Sequence, residues 1–585
     1  MTISASAPAA ATGDRWRLAS KANKWTAATA AVAAVAALPI LAVIYLAVTP
    51  AAEIWQHLAS TVLPAYSLNT ALLSAGVGLG TAVIGVAAAW LVTMCRFPGV
   101  RWFEWALLLP LAMPAYVVAY VYTDLLEYAG PLQTLLRDVF GWSSARDYWF
   151  PDIRSLGGAI GVFTLVLYPY VYLLARAAFL EQCVCVLEVS RVLGRGAWGT
   201  FFAVALPLAR PAIVVGIILV TMETLNDYGT VHYFAVQTFT VGIFDVWQHL
   251  GNAAGAAQLA LVLLVVVMLL IFAERAARRG QRYHHATSRY SALTRLELKG
   301  RHAAAAVTVC VMPILLGFAV PVLVLLRYTL FHPHPGGFWS RFWVEAGNSM
   351  LVSGLAAVFA VLIGLFLAYG NRLHRGRALL IASRFACLGY AVPGAVLALG
   401  VIIPFAAFDN AVDAAMRDTF GISTGLLLSG TVAAIIFALT VRFLALSFGA
   451  IEAGLGRVTP VMEESARSLG HGPRSRLLRV HAPMIRGSVL TAAVLVFVDS
   501  MKELPMTLLL RPFNFETLAT GVFQYASDER IEQAALPALA IVAAGVVPVI
   551  LLSKMIARSR AGSGAAQPEA EATVTPDPRA AAPAA

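Results

Sequence analysis

The chain has 585 residues, of which 59% are hydrophobic and 12% are charged, and its mean hydropathy is +0.77. An average this apolar, taken over loops as well as cores, excludes an ordinary water-soluble domain. The formal net charge of +11 needs no nucleic-acid partner, because the basic residues are concentrated in the loops of one side.

Uncharged segments long enough to cross a bilayer recur along the chain. Residues 69–95 contain no acid or base, and 27 residues at about 1.5 Å each exceed the roughly 30 Å of hydrocarbon. We predict an all-α integral membrane protein with about twelve transmembrane helices. They lie near residues 26–48, 69–93, 103–124, 157–180, 211–229, 256–273, 304–326, 348–370, 379–406, 424–446, 487–505 and 533–553.

The orientation follows from the Lys and Arg residues of alternate loops. One set of loops, which includes both termini, holds 31 of these residues, and the other set holds 7. Basic residues accumulate on the cytoplasmic side. We therefore expect a multi-pass protein of the cell inner (plasma) membrane with both termini in the cytoplasm. Lipid is then the main partner of its surface.

The chain contains an internal repeat. An offset of 279 residues pairs Asn69 with Asn348 and Pro114 with Pro393, and an offset of 276 pairs residues further along. Each copy has an even number of spans, so the two halves are parallel and related by an axis along the membrane normal.

This repeat sets the predicted domain organisation. Residues 26–273 form the first half, with a core repeat near 65–273, and residues 304–553 form the second, with a core repeat near 345–553. Residues 1–25 are a cytoplasmic segment, 274–303 a cytoplasmic linker, and 554–585 a tail too poor in apolar residues to fold.

Each half carries the same motif in its long loop after the fourth span. Glu188 is followed by Gly194 and then by Leu206-Pro207, and Glu464 is followed by Gly470 and then by Pro483. The pattern predicts a short helix, a glycine with positive φ, a second short helix and a proline that begins the next span.

This spacing resembles the EAA loop of permeases of binding-protein-dependent ABC importers. Several alanine, isoleucine and leucine positions differ, but the glutamate, glycine and proline match in both halves. The resemblance implies a type I importer fold, two copies of a cytoplasmic ATPase docked on these loops, and a periplasmic substrate-binding protein. Its ATPase-coupling residues would be Glu188, Gly194, Leu206, Pro207, Glu464, Gly470 and Pro483.

Two segments narrow this resemblance. Residues 223–231 and 502–513 are similar to the fused permeases of ferric-iron importers. Fused permeases for thiamine have a comparable two-half layout, so thiamine or another small solute remains an alternative substrate.

The chain lacks a lysine suited to bind ATP phosphates. It has five lysines, and none follows a glycine as a Walker A motif requires. We therefore expect a transport subunit that is not an enzyme and binds no cofactor, with ATP and Mg on partner subunits.

Four acidic residues in predicted spans are the candidate pathway. Glu223 and Asp227 are one helical turn apart in the fifth span, and Asp499 and Glu503 repeat the arrangement in the eleventh. Four carboxylates facing across the axis would suit a hard cation. The alternatives are a structural pair between Asp499 and Lys502, and a secondary transporter that uses buried carboxylates to couple to ions.

Six tyrosines cluster in the first half. They could offer phenolate ligands to iron, but their places near predicted span ends favour an interfacial aromatic belt, and we assign no metal ligands. They are Tyr116, Tyr120, Tyr122, Tyr168, Tyr170 and Tyr172.

Overall fold

The computed structural model describes residues 24–49, 52–181, 190, 193–194, 196–279, 295–333, 335–374 and 376–559. The sheet in this part of the chain is minimal, with β1 (Cys95–Arg96) parallel to β2 (Leu296–Glu297). Of the described helices, 11 are long and apolar enough to cross a membrane, or up to 12 if one bent pair is a single span. The predicted all-α membrane fold is confirmed.

The first half consists of long membrane-spanning helices that are connected by shorter helices and turns. A 3-10 turn at Leu109–Ala112 follows the fourth of them, and π turns occupy Phe201–Ala205 and Asp245–His249. The helices are α1 (Lys24–Ala47), α2 (Ala52–Thr61), α3 (Leu63–Met94), α4 (Val100–Ala106), α5 (Ala115–Leu126), α6 (Pro131–Phe140), α7 (Leu156–Glu181), α8 (Ala197–Thr200), α9 (Leu206–Asn226), α10 (Gly229–Tyr233), α11 (Phe239–Phe244) and α12 (Ala253–Arg279).

The second half repeats most of this order. Its irregular turns are π turns at Leu315–Ala319 and Leu477–His481 and a 3-10 turn at Cys387–Ala391. Its helices are α13 (Arg301–Ile314), α14 (Val320–Phe331), α15 (Phe338–Leu373), α16 (Arg377–Ala386), α17 (Gly394–Phe420), α18 (Val432–Gly456), α19 (Pro460–Ser468), α20 (Pro473–Arg476), α21 (Ala482–Met501), α22 (Pro505–Leu510), α23 (Leu518–Ser527) and α24 (Ile531–Ser559).

Equivalent hydrogen bonds in the two halves confirm the internal repeat. The Asn69 amide donates to the carbonyl of Gln237 at 3.0 Å, and the Asn348 amide donates to the carbonyl of Glu516 at 2.8 Å. These bonds tie α3 and α15 to the loops that precede α11 and α23. The asparagines at the 279-residue offset therefore hold the same corner of each half.

The prediction that the third span of each half is one continuous helix is wrong. The chain is extended at Met113 (ψ 123°) and Val392 (ψ 128°), each directly before a proline, and in the first half the segments on either side meet at 89°. A proline has no N–H to donate and disfavours a helical residue before it. The repeated Pro114 and Pro393 thus break these spans.

The span predicted at 424–446 begins later, at Val432. The preceding loop is held instead by two acids of α17. Asp409 accepts hydrogen bonds from the backbone N–H of Leu428 and Ser429 at 2.7–3.1 Å, and Asp413 accepts one from Thr424 at 2.7 Å. Because these carboxylates satisfy the loop N–H groups, the polar segment stays non-helical.

The first helical segment of each half packs on the other half. In α1, Trp25 stacks on Phe366 of α15 at 4.8 Å between ring centroids, and Pro39 lies so close to Gly400 of α17 that a Cβ there would be 2.2 Å from its carbonyl oxygen. In return, α14 packs against α5, where Tyr328 donates to Asp124 at 2.5 Å. This exchange interlocks the halves.

Candidate functional site

Helices α9 and α21 each end inside the protein. Their C-terminal ends place acidic residues at the boundary between the halves. The first ends at Asn226, after which Asp227 is extended, and the second ends at Met501. The prediction of a helix to residue 229 was therefore too long. A short helix follows each break, α10 after α9 and α22 after α21. Asp227 and Glu503 therefore occupy equivalent turns of the two halves.

Asp227 and Glu503 bind the backbone of those short helices. Asp227 accepts a hydrogen bond from the N–H of Thr230 at 2.7 Å. Glu503 accepts bonds from Met506 and Thr507 N–H groups at 3.1 Å, and only 4% of its side chain is exposed. A carboxylate at a helix N-terminus satisfies N–H groups that otherwise lack partners. These two acids thus have a structural role as caps.

All four predicted carboxylates line one cavity of about 130 Å³ between the halves. Glu223 and Asp227 come from the first half, and Asp499 and Glu503 from the second. The structure therefore brings together side chains that are 276 residues apart in sequence. The other polar side chains that line this cavity are Tyr116, Tyr170, Asn226, Tyr390, Arg442 and Lys502.

Hydrogen bonds cross the cavity from the second half to the first. Tyr390 donates to the Glu223 carboxylate at 3.2 Å. The Asn226 side-chain oxygen accepts from the N–H of Gly394 at 2.6 Å and from Arg442 at 3.2 Å. Every donor in this set belongs to the second half and every acceptor to the first. The two halves are thus joined where their carboxylates meet.

Two cationic side chains partly neutralise the cavity, and both come from the second half. Lys502 lies 2.8 Å from Asp499, which is the structural pair considered from the sequence. Arg442 lies 3.7 Å from Glu503. Four carboxylates against two cations leave the ionised lining with a formal charge of −2. The cavity remains acidic.

Arg442 is a functional candidate that the sequence analysis missed. It is an isolated basic residue within α18, and only 9% of its side chain is exposed. The rule that selected the carboxylates, that an ionisable residue inside a span has a special role, would have selected Arg442 as well. Tyr390 and Asn226 carry no such signal, because tyrosine and asparagine are uncharged and their partners are in the other half.

The interpretation of the six tyrosines as an interfacial belt was wrong for most of them. Tyr116, Tyr120, Tyr168 and Tyr172 are at most 3% exposed, so protein and not lipid surrounds them. Tyr116 lines the cavity, and its buried hydroxyl has no hydrogen-bond partner among the residues that the structure describes. The helices carrying these tyrosines pack inward, which their position along the span could not indicate.

No resident metal site appears within the described part of the chain. There, no group of three or more His, Cys, Asp or Glu side chains is arranged to hold a metal ion.

The glycines of the two sequence motifs have the predicted conformation. Gly194 and Gly470 have φ of 78° and 81°, the left-handed conformation that favours glycine, and Gly470 follows the end of α19. Glu188 lies outside the described residues. Glu464, its counterpart, is exposed on α19.

The second short helix of each motif is continuous with the next span, whereas the sequence analysis treated them as two elements that meet at the proline. Helix runs from Ala197 to Asn226 in one half and from Pro473 to Met501 in the other, in each case through a π turn. Each π turn ends two positions before the motif proline, Pro207 or Pro483, and Leu206 opens α9. A wider turn relieves the clash of a proline ring with the preceding helical carbonyl. The second short helix of each motif is therefore continuous with the membrane-spanning helix that follows it.

Comparison with known families agrees with the repeat. A family model described as binding-protein-dependent transport system inner membrane component matches residues 81–282 and again residues 360–561. The two matches start 279 residues apart, as do the repeated asparagines. Together they cover more than half of the chain.

Several transport proteins are similar to this chain. The Fe(3+)-transport system permease protein FbpB 2 of Haemophilus influenzae is 29% identical over 492 residues, or 83% of this chain and 89% of that protein. The molybdenum transport system permease protein ModB of Escherichia coli is 29% identical over 30% of this chain and 77% of its own length. The putative 2-aminoethylphosphonate transport system permease protein PhnV of Salmonella typhimurium is 27% identical over 44% of this chain and 96% of its own length.

Proposed function

This chain belongs to the family of binding-protein-dependent transport system inner membrane components, and from that premise we propose that it is the permease subunit of an ABC importer for ferric iron. It is a multi-pass membrane protein and a transport subunit. The observation that carries the substrate proposal is that one cavity between the halves is lined by Glu223, Asp227, Asp499 and Glu503.

The chemistry of the cavity suits a hard cation. Carboxylate and hydroxyl oxygens are the donors that such ions prefer, and this lining combines four acids with the buried hydroxyl of Tyr116. Its negative formal charge lowers the cost of moving a cation through a low-dielectric region. The similarity to an Fe(3+)-transport permease over most of both chains supports the same ion.

Energy would come from separate subunits. The chain has no lysine that follows a glycine, so we propose that two copies of a cytoplasmic ATPase bind ATP and Mg and dock on the loops around Gly194 and Gly470. A periplasmic binding protein would deliver iron to the opposite face. The bias of basic residues towards the docking-loop side supports cytoplasmic termini.

An anionic substrate is the second candidate. Arg442 and Lys502 line the same cavity, and two relatives are named for molybdenum and 2-aminoethylphosphonate transport. Both cations already lie beside carboxylates, however, at 3.7 and 2.8 Å. The acids outnumber them, which favours the cation.

Reconstitution tests this proposal. The chain is inserted into liposomes with its ATPase subunits and binding protein, and uptake of labelled ferric iron, molybdate and thiamine is measured with and without ATP. We expect ATP-dependent accumulation of iron alone. Accumulation of molybdate or thiamine in its place would replace the substrate and keep the importer. Transport without ATPase subunits under an ion gradient would identify a secondary transporter.

A further inference from the structure

A charged cluster fixes α19, the helix of the second docking loop, to the membrane domain. Glu463, at the start of α19, lies 2.8 Å from the guanidinium of Arg372 at the end of α15. The same carboxylate oxygen is 3.1 Å from Nε2 of His481 in the π turn before α21. One side chain thus contacts two separate membrane helices.

Arg372 extends this cluster to a third helix. Its guanidinium also donates to the carbonyls of Leu455 and Val458, at 2.6 and 2.5 Å. Leu455 is in the last turn of α18 and Val458 follows the end of that helix, where a positive charge is favoured by the helix dipole. Arg372 therefore joins the ends of α15 and α18 to the docking helix.

The cluster is shielded from water. The side chains of Arg372 and Glu463 are 18% and 20% exposed, and His481 is 1% exposed. Burial would raise the pKa of Glu463, but the hydrogen bond and charge of Arg372 outweigh it and lower that pKa. The carboxylate is therefore charged at neutral pH, and charge-assisted bonds of this kind are stronger than neutral ones.

The matching positions of the first half cannot form the same cluster. By the repeat offsets, Arg372, Glu463 and His481 correspond to Thr93, Leu187 and Ala205, none of which is ionisable. The difference is therefore encoded in the sequence of the second half.

The cluster lies at the base of a helix that reaches the cavity. From His481 to Asp499 the chain is helical, and 18 residues at about 1.5 Å each span roughly 27 Å. Asp499 and the following Lys502 line the cavity at the far end. Glu463 and His481 therefore connect α19 to the base of this helix.

We propose that Glu463 is a positioning residue that couples the second docking helix to the cavity, so that the second half responds to ATPase motion more directly than the first. This inference rests on the proposed importer function. The cluster does not depend on which solute is transported. The coupling can therefore be measured with any solute that the complex imports.

The test compares Glu463→Gln and Arg372→Gln with the wild type in the full complex with ATPase and binding protein. Three quantities are measured: ATPase subunit retained on purification, ATP hydrolysed, and solute taken up. We expect ATPase retention to stay within about twofold while uptake per ATP falls about fivefold or more, because the ATPase still docks but moves α21 less. The double variant should lose less than the sum of the two single losses, since each single variant already removes the contact between Arg372 and Glu463.

Glu452→Gln is the matched control. Glu452 also pairs with an arginine near this face, Arg384 at 3.6 Å, but the two side chains are 40% and 59% exposed. Its uptake per ATP should equal that of the wild type. If Glu463→Gln does not give monodisperse protein, Glu463→Asp, which keeps the charge but shortens the reach, is judged by the same criterion.

The outcomes separate this inference from the proposed function. A wild-type complex that neither retains an ATPase nor takes up solute would overturn the importer function. A working wild type with unchanged uptake per ATP in the Glu463 variants, or additive losses in the double variant, would overturn the positioning role alone.

Discussion

Arg442 of the second half donates a hydrogen bond to the side chain of Asn226 of the first half at 3.2 Å and lies 3.7 Å from Glu503. It therefore joins the two halves at the cavity and compensates a buried carboxylate at the same time. The repeat alone would not suggest this bond, because the residue at the matching position of the first half is Val166.

Replacing Arg442 by Gln should destabilise the protein by roughly 3–5 kcal/mol, because Glu503 then stays buried without its cation. Thermal unfolding in detergent measures the change. The double variant Arg442→Gln with Glu503→Gln should recover much of the loss, since no charge is left uncompensated. Arg417→Gln is the control, because Arg417 pairs with Asp413 but is 61% exposed. An Arg442 variant as stable as this control would contradict the buried-pair interpretation.

Substitution of Gly470 by Ala should cost about 1 kcal/mol locally, since an L-residue at φ of 81° is strained. The strain falls at the end of the docking helix, so we expect weaker retention of the ATPase subunit on purification. Gly472→Ala is a nearby control, because Gly472 has an ordinary φ and space for a Cβ. Equal retention by the two variants would argue against a required left-handed turn.

Replacing Gly400 by Val should separate α1 from the second half, because a Cβ at Gly400 would lie 2.2 Å from the Pro39 carbonyl oxygen. We expect a lower unfolding temperature and faster proteolysis near α1. Gly354→Val is the comparison, since nothing lies within 4 Å of a Cβ at that position. If Gly400→Val is no less stable than Gly354→Val, the exchange of first helices is not required for stability.

The Glu463 cluster should persist in mild acid. A carboxyl group whose pKa is lowered by folding stabilises the protein above its unfolded pKa, about 4.3, and loses this contribution as the pH falls through the lower folded pKa. Arg372, Arg476 and His481 all surround Glu463. Solute uptake per ATP by the wild-type complex should therefore be unchanged between pH 7.5 and 5.5. A loss in this window that is absent in Glu463→Gln would contradict the lowered pKa.

Much of the architecture was predictable because membrane spans can be recognised from residue composition and internal repeats from residue order. Uncharged stretches located most helices, and the matched Asn69 and Asn348 revealed two halves that the structure confirms. The breaks at Pro114 and Pro393 were visible as repeated prolines, but hydropathy averages over a break and predicts one span. The packing of α1 on the second half depends on contacts such as Trp25 with Phe366, which no local pattern contains.

The acidic residues of the candidate site could be predicted from the sequence, but the contacts that join the two halves at this site could not. Glu223 and Asp499 were identified because ionisable residues are costly in a span, and the structure places both at one cavity. Tyr390 and Asn226 were missed because their roles arise only where the halves meet. Asp227 and Glu503 proved to be helix caps as well as cavity residues, and a cap is recognised only once the helix break is known.

Uptake of ferric iron by Glu223→Gln with Asp499→Asn tests the central account most directly. The double variant removes two charges that line the cavity and leaves Asp227 and Glu503 to cap their helices. Reconstituted with ATPase and binding protein, it should retain the ATPase but take up iron at least about tenfold more slowly than the wild type, since charge-assisted contacts contribute about 1.5–3 kcal/mol each. Iron uptake at the wild-type rate, with ATPase retained, would contradict a pathway through this cavity.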